Sequence, residues 1–270
     1  MNLTVRHLTR HSRSVYTALA AGLACAFTQA AELGDFYNLG PRPAETAIRV
    51  GAVVISGQAY QGASEQKTSV LPGVFLQTSN GLFADPLNGV GYSFEPQGSL
   101  QYGLRVNLDT GRSVETTLPG FEKINARANP GAYANYTVND KLTLRSALRL
   151  GMGDGADGSL LHVGGSYKVL QAGFFGVSVN AFLKYADSNN MQSYFGVTAA
   201  QSSTSGLKAY KPAAGFAAAK VGLTAGTPLS RQIFVFSNVS VQRLLGDAAN
   251  SPIVSKKTQP TAFVGGVYSF

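Results

Sequence analysis

The chain has 270 residues, a formal charge of +8 and only 13% charged residues. A pI near 9.6 raises the question of nucleic acid, but the basic residues are scattered, with no basic run longer than Lys256-Lys257, so the charge reads as surface and lumen charge. After residue 30 no stretch approaches 18 apolar residues, which excludes membrane-spanning helices, while 31 glycines, 12 tyrosines and 15 phenylalanines suit a strand-rich chain facing lipid.

Residues 1–30 read as a cleaved secretory signal. Arg6, His7, Arg10, His11 and Arg13 form a positive start, Ala18 to Phe27 a short apolar core, and Thr28-Gln29-Ala30 a small-residue cleavage site. The alternative is an N-terminal anchor, but the apolar run is too short to span a bilayer as a helix. Cys25, the one cysteine, lies inside this segment, and Gly22 stands where a lipoprotein site needs an aliphatic residue. The mature chain then has no thiol chemistry and, without Arg6, Arg10 and Arg13, a charge of +5. Its roughly 240 residues fit one domain, preceded by a periplasmic segment at 31–45, with a barrel from 46 to 270.

From residue 46 onward the hydrophobic period is mostly 2, the signature of strands with one apolar face. Strands are expected at 46–58, 69–78, 88–95, 98–109, 125–138, 141–151, 159–169, 174–186, 211–226, 231–244 and 260–270, with a short one near Gly81 to Ala84. In the fifth, Leu100, Tyr102, Leu104, Val106 and Leu108 alternate with Gln101, Gly103, Arg105, Asn107 and Asp109. The last ends in Tyr268 and Phe270 on the same face as Ala262, Val264 and Gly266, as in the closing strand of an outer-membrane barrel. A two-sheet sandwich also alternates. Strands of 10 to 14 residues and aromatics near strand ends (Tyr92, Phe94, Tyr136, Tyr185, Tyr268, Phe270) favour a transmembrane, antiparallel, up-and-down β-barrel. About twelve strands complete it; ten is the alternative. Pro130, inside a strand, should sit at a bulge or rim.

Connections alternate short and long. Asn139-Asp140, Leu170 to Gly173 and Thr227 to Gln232 are tight, whereas Leu108 to Ile124, Met152 to Gly158, Ala186 to Tyr210 and Gly246 to Gln259 are longer, as periplasmic turns and external loops should be. The longest, Ala186 to Tyr210, reads either as a solvated loop or as a plug or partner-binding loop, since Tyr194, Phe195 and Val197 are apolar for free exposure.

If the apolar faces meet lipid, Arg105, Arg127, Arg145, Arg149 and Lys184 face the lumen, because Arg on the lipid side at the midplane costs about 2–4 kcal/mol. Few acids share that face; Asp109 lies near a strand end. The expectation is a basic lumen that favours anions if open, although a barrel of this size can equally be filled or narrow. Catalytic signals are weak. The mature chain's one histidine, His162, shares its face with Ser166 and Lys168, but four residues along a strand is about 13 Å, too far for a Ser–His pair. Asp154 and Asp157 have turn spacing rather than a calcium-loop pattern. No metal or cofactor is expected.

The segment Arg243-Leu244-Leu245-Gly246-Asp247-Ala248-Ala249-Asn250-Ser251-Pro252, continuing to Val254, resembles the signature of the MipA/OmpV family of MltA-interacting outer-membrane proteins. Tyr60-Gln-Gly62, Leu71-Pro72, Tyr194-Phe-Gly-Val197, Ser205-Gly-Leu207 with Tyr210, and Tyr268-Ser-Phe270 match in the same order, over about residues 47 to 270. The resemblance implies a non-enzymatic outer-membrane barrel in contact with lipid and lipopolysaccharide and inserted by the barrel-assembly machinery. It further implies a scaffold joining a lytic transglycosylase to a peptidoglycan synthase; a small porin-like channel or a surface adhesin is the alternative. Physically, Gly246-Asp247 and Asn250-Ser251-Pro252 are turn chemistry at a barrel rim, open to a partner or ligand contact.

Overall fold

The computed structural model describes residues 42–95, 99–109, 111–112, 118–152 and 158–270. Residues 1–30, read from sequence as a signal, and 31–41 of the expected periplasmic segment therefore lie outside the described residues, as do Asp154 and Asp157. Twelve antiparallel strands close into one barrel in sequence order. They are β1 (Ala47–Gln58), β2 (Gln66–Gln77), β3 (Leu82–Asp85), β4 (Gly89–Phe94), β5 (Leu100–Asp109) and β6 (Arg127–Thr137). The second half comprises β7 (Leu142–Arg149), β8 (Leu160–Ala172), β9 (Phe175–Ala186), β10 (Gly215–Pro228), β11 (Ile233–Leu244) and β12 (Thr258–Ser269). Closure is made by β1 against β12, in register from Arg49 opposite Ser269 to Ser56 opposite Ala262. The start of β1, the end of β12 and the short turns occupy one end of the barrel, the termini end, and the long connections the other.

The outward face is written for an apolar solvent. Val70, Val90, Leu104, Leu144, Val221, Val239 and Val264 all stand exposed on it. Aromatic belts flank this band. At the termini end Phe94 stacks on Tyr102 at 5.2 Å, and Tyr268 meets Phe270 edge-on at 5.3 Å. At the loop end Tyr185 meets Phe216 at 5.7 Å. A soluble sandwich would present its polar residues outward; here they point in. That arrangement is what a membrane barrel requires.

Three irregularities shape the wall. Pro130 lies in a stretch of β6 that keeps register with β5, but β7 ends opposite Gly131. The proline therefore sits at a rim rather than at a bulge, with its carbonyl accepting from Leu150 N–H at 2.8 Å. The turn expected at Leu170 to Gly173 is tighter than that, because β8 runs on to Ala172 after a register shift between Lys168 and Leu170. The largest departure is at β3 and β4. They are so short that β2 pairs with β3 only at Leu76–Ala84 and Gln77–Phe83. Among the described residues, Gln66 to Phe75 has no strand on that side, and Pro72, which has no N–H to donate, occupies this edge. The β3–β4 turn bends into the lumen behind it. Asp85 Oδ1 accepts from Leu87 N and Asn88 N at 2.8 and 2.7 Å, and the Pro86 ring fills the space a Cβ on Gly73 would need, 2.1 Å away.

Glycines inside the wall make room for inward rings. A Cβ on Gly103 would fall 2.5 Å from the Tyr133 ring and 2.3 Å from the Tyr92 carbonyl oxygen. Gly103→Ala should therefore destabilise the barrel by about 1–3 kcal/mol through overpacking. A lower thermal midpoint of the folded, fast-migrating form on unheated gels checks this. An unchanged midpoint would show that the ring can move aside.

Candidate functional site

The loop end of the barrel is closed by a packed cap. The longest connection, read from sequence as either a solvated loop or a plug or partner-binding loop, contains α1 (Ser188–Phe195) and α2 (Ala199–Ser205), and the family-signature segment contains the one-turn helix α3 (Gly246–Ala249). Local sequence explains the first two. Asp187 caps α1 by accepting from Asn190 N–H at 2.8 Å, while its other oxygen accepts from Ser159 N–H at 2.7 Å. Thr198 and Gln201 form a capping box, with bonds of 2.8 and 3.2 Å, and Gly206 ends α2 in the left-handed region at φ 72°.

The apolar residues of this connection face inward onto the barrel. Met191 and Phe195 of α1 pack with Leu160, Ala186, Ala217, Ala218 and Leu244 from the loop ends of β8 to β11, and with Ala248 and Ala249 of α3. A second cluster joins Phe121 from the β5–β6 connection to Val197 and Ile253. From the far wall, Asp109 on β5 accepts from the Tyr194 hydroxyl at 3.1 Å. Helix α1 thus spans the mouth from β5 to β10. Arg112 lies over the Phe121 ring at 5.5 Å. Burial lowers its guanidinium from the ordinary arginine range, opposed by nearby Tyr194 and Tyr60. Burial likewise raises the Tyr60 hydroxyl, with Glu65 adding and Arg112 opposing.

The signature segment is the joint of this cap. Arg243 and Leu244 end β11, with Leu244 buried beneath α1. Leu245 N–H donates to the Ala217 carbonyl at 2.9 Å. Gly246 takes φ +48°. Asp247 accepts from Ala213 N–H at 2.8 Å through its carboxylate and from the Tyr210 hydroxyl at 2.9 Å through its carbonyl. Asn250 closes the turn onto Asp247, and the Ser251 hydroxyl donates to the Phe195 carbonyl at 2.5 Å. Pro252 follows, before the buried Ile253. The turn chemistry read from sequence is present, but it is one helical turn that ties β10, α1 and the Tyr210 strand bridge together. Tyr268 and Phe270 lie at the other end, on the outward face.

Beneath the cap the lumen has two walls of different chemistry. On β5 to β10, Arg105, Lys184 and Lys220 are buried and Arg127, Arg145 and Arg149 half-buried, all at inward positions. Among the described residues, the inward carboxylates of the strands are Asp85 and Asp109, and Asp109 is 2.6 Å from Arg149 Nη1. His162, also buried, stands between Ala147 and Lys184 in register. Ser166 does not approach it; its hydroxyl donates to Asn180 Oδ1. That bond begins a ladder, since Asn180 Nδ2 and Asn238 Nδ2 each donate to Thr224 Oγ1 at 2.9 Å. The other wall, on β11, β12, β1 and β2, carries an apolar patch in which Val53, Ile55 and Leu71 are buried against Leu87, Phe236 and Phe263, while Asn238, Ser240, Gln242, Gln259 and Thr261 are buried polar residues of the same strands. Sequence reading missed this wall because β1 is apolar on both faces, Val53 and Ile55 alternating with Ala52 and Val54. Between the walls lies a cavity of about 680 Å³, lined at its inner end by Arg145, Ser166 and Asn180 and at its outer end by Phe174 in the β8–β9 turn. It opens towards the termini end. Among the described residues no group of His, Cys, Asp and Glu is placed to hold a metal ion.

Residues 50–270 match the protein family described as MltA-interacting protein MipA. No curated protein matches the chain. Among solved structures the chain is similar to the NanC porin (9% identity, TM-score 0.41, covering 83% of this chain and 100% of that one). It is similar also to the KdgM porin (11%, 0.42, 82% and 99%), and to an outer-membrane channel from Pseudomonas putida F1 (9%, 0.43, 87% and 100%).

Proposed function

The chain belongs to the MltA-interacting protein MipA family, and from that premise we propose that it is a non-enzymatic outer-membrane barrel that holds peptidoglycan-remodelling enzymes at its periplasmic end. The observation that carries the reading is the family match over residues 50–270, whose description names a partner. In this reading residues 1–30 are removed on export and the termini end faces the periplasm, since it carries the short turns. The barrel offers that side protruding apolar tips on its short turns: Phe174 is 84% exposed and Leu229 67%. The cap favours an anchor over an open pore, because packed side chains lie across the mouth. The separation of His162 from Ser166, and the commitment of that serine to Asn180, favour a non-enzymatic role.

Capture of the full-length protein from gently solubilised envelope should co-purify a lytic transglycosylase or a peptidoglycan synthase. Phe174→Ser with Leu229→Ser should reduce that recovery at least several-fold without lowering barrel stability. Recovery of neither enzyme, under conditions that preserve a known envelope complex, would sink the scaffold reading. A second reading, a gated anion passage, rests on the basic wall formed by Arg105, Arg127, Arg145, Arg149 and Lys184.

A further inference from the structure

We propose that the cavity at the termini end is a binding site for a single-chain anionic amphiphile, with one carboxylate or phosphate head and an unbranched apolar tail. The inference is independent of the scaffold role. It starts from the division of the lumen. A barrel filled only for stability has no reason to keep about 680 Å³ open, a volume within the usual range of small-molecule sites of roughly 300–1,000 Å³. Nor does a water-filled porin lumen need aromatic and aliphatic side chains along one side. Here both features bound the same space.

The head belongs at the inner end. Arg145 lines the cavity there beside Ser166 and Asn180. Arg145 is in register with Gly164, and Ser166 follows two residues on along β8, so these side chains share one inward row. The Ser166–Asn180–Thr224 ladder fixes the polar groups around the guanidinium. A guanidinium presents paired donors to two oxygens of one carboxylate or phosphate. The tail belongs on the opposite wall, where Leu87, Phe236 and Phe263 line the same cavity. Leu87 is there because the short β3–β4 turn bends into the lumen, which gives that feature a use. Phe236 and Phe263 meet edge-on at 6.2 Å and form an apolar floor. The entry lies at Phe174 and Arg49, which place an exposed aromatic and a cation at the open end. Asp85 also lines the cavity, but its carboxylate already accepts from Leu87 N, Asn88 N and Asn88 Nδ2, so Arg145 and Arg49 set the sign of the head. A short hydrophilic anion would leave the aromatic floor uncovered.

The test uses the full-length protein in phosphatidylcholine nanodiscs, with 11-(dansylamino)undecanoate as fluorescent probe and empty nanodiscs as blank. Dodecanoate and dodecyl phosphate should both displace the probe. Shortening the chain should weaken displacement by up to about fourfold per methylene removed. Dodecyltrimethylammonium and dodecanol should not compete at the same concentration. Arg145→Gln should weaken dodecanoate by about ten- to hundredfold, the worth of a charge-assisted bond, and Phe263→Gln should weaken all chain lengths towards the shortest. Migration of unheated samples on gels confirms that each variant is folded. Displacement by only one of the two heads identifies which anion the site takes and supports the proposal. It is overturned if the probe does not bind, if the cationic amphiphile competes equally, if acetate displaces as well as dodecanoate, or if folded Arg145→Gln binds unchanged.

Discussion

Asp109→Ala is expected to destabilise the folded barrel by about 3–5 kcal/mol, the usual effect of removing one partner from a buried ion pair. Asp109 is 3% exposed and 2.6 Å from Arg149 Nη1. It also accepts from Gly111 N–H at 2.9 Å and from the Tyr194 hydroxyl at 3.1 Å. Truncation leaves the Arg149 guanidinium buried without its carboxylate and releases both the β5–β6 connection and α1 from the wall. Asp109→Asn, whose single amide oxygen can keep the bond from Gly111 N–H but not also accept from the Tyr194 hydroxyl, and which lacks the charge, should still lose less than the truncation. Asp109→Leu combined with Arg149→Leu should recover much of the loss, because an apolar pair of similar volume is often as stable as a buried ion pair. Thermal midpoints of the wild type and the three variants rank these losses. A loss below about 1 kcal/mol for Asp109→Ala, the scale of an exposed pair, would show that solvent reaches the pair.

The parts of this protein that obey one rule at a time were readable in the chain. β5 shows the point: Leu100 to Leu108 alternate strictly with Gln101 to Asp109, and the structure puts the first set on lipid and the second in the lumen. The strand count followed too, with the short β3 near Gly81 to Ala84 completing the even number that an up-and-down barrel needs. Two features escaped for different reasons. The apolar wall escaped because periodicity marks a strand's faces only when they differ, and in β1 both are aliphatic. The cap helices escaped because seven- and eight-residue helices hold too few apolar residues to show a period of 3.6. Their signal was at the ends instead: Asp187 three residues before Asn190, Thr198-x-x-Gln201, and Gly206. The basic residues were read individually with inward positions, but no one-dimensional rule sets them opposite Phe236 and Phe263. That placement depends on barrel closure, which brings β1 beside β12.

The cap makes the strongest functional prediction. In planar bilayers the intact protein should be silent, and weakening α1 should make it conduct. Met191 and Phe195 are each 1% exposed, and they fasten α1 to Leu160, Ala217, Ala218 and Leu244. Phe195→Ala should cost the cap about 3–5 kcal/mol. Fused to a mouth also held by Tyr194–Asp109 and Ser251–Phe195 bonds, the single variant should give intermittent openings. Met191→Ala with Phe195→Ala, or replacement of Ser188 to Ser205 by a short Gly-Ser linker, should give sustained ones. Twelve strands make this plausible physically, being intermediate between eight-stranded barrels filled by side chains and wide porins. The ions passed should be anions, since the wall they meet carries Arg105, Arg127, Arg145 and Lys184 against Asp85, while Arg149 and Asp109 neutralise each other. Reversal potentials under a salt gradient decide this. Cation selectivity in the uncapped protein would refute the basic wall as the controlling field, and conductance in the intact protein would refute the cap as a seal. Silence in all three uncapped forms would mean that the aromatic floor and the inward β3–β4 turn close the lumen by themselves.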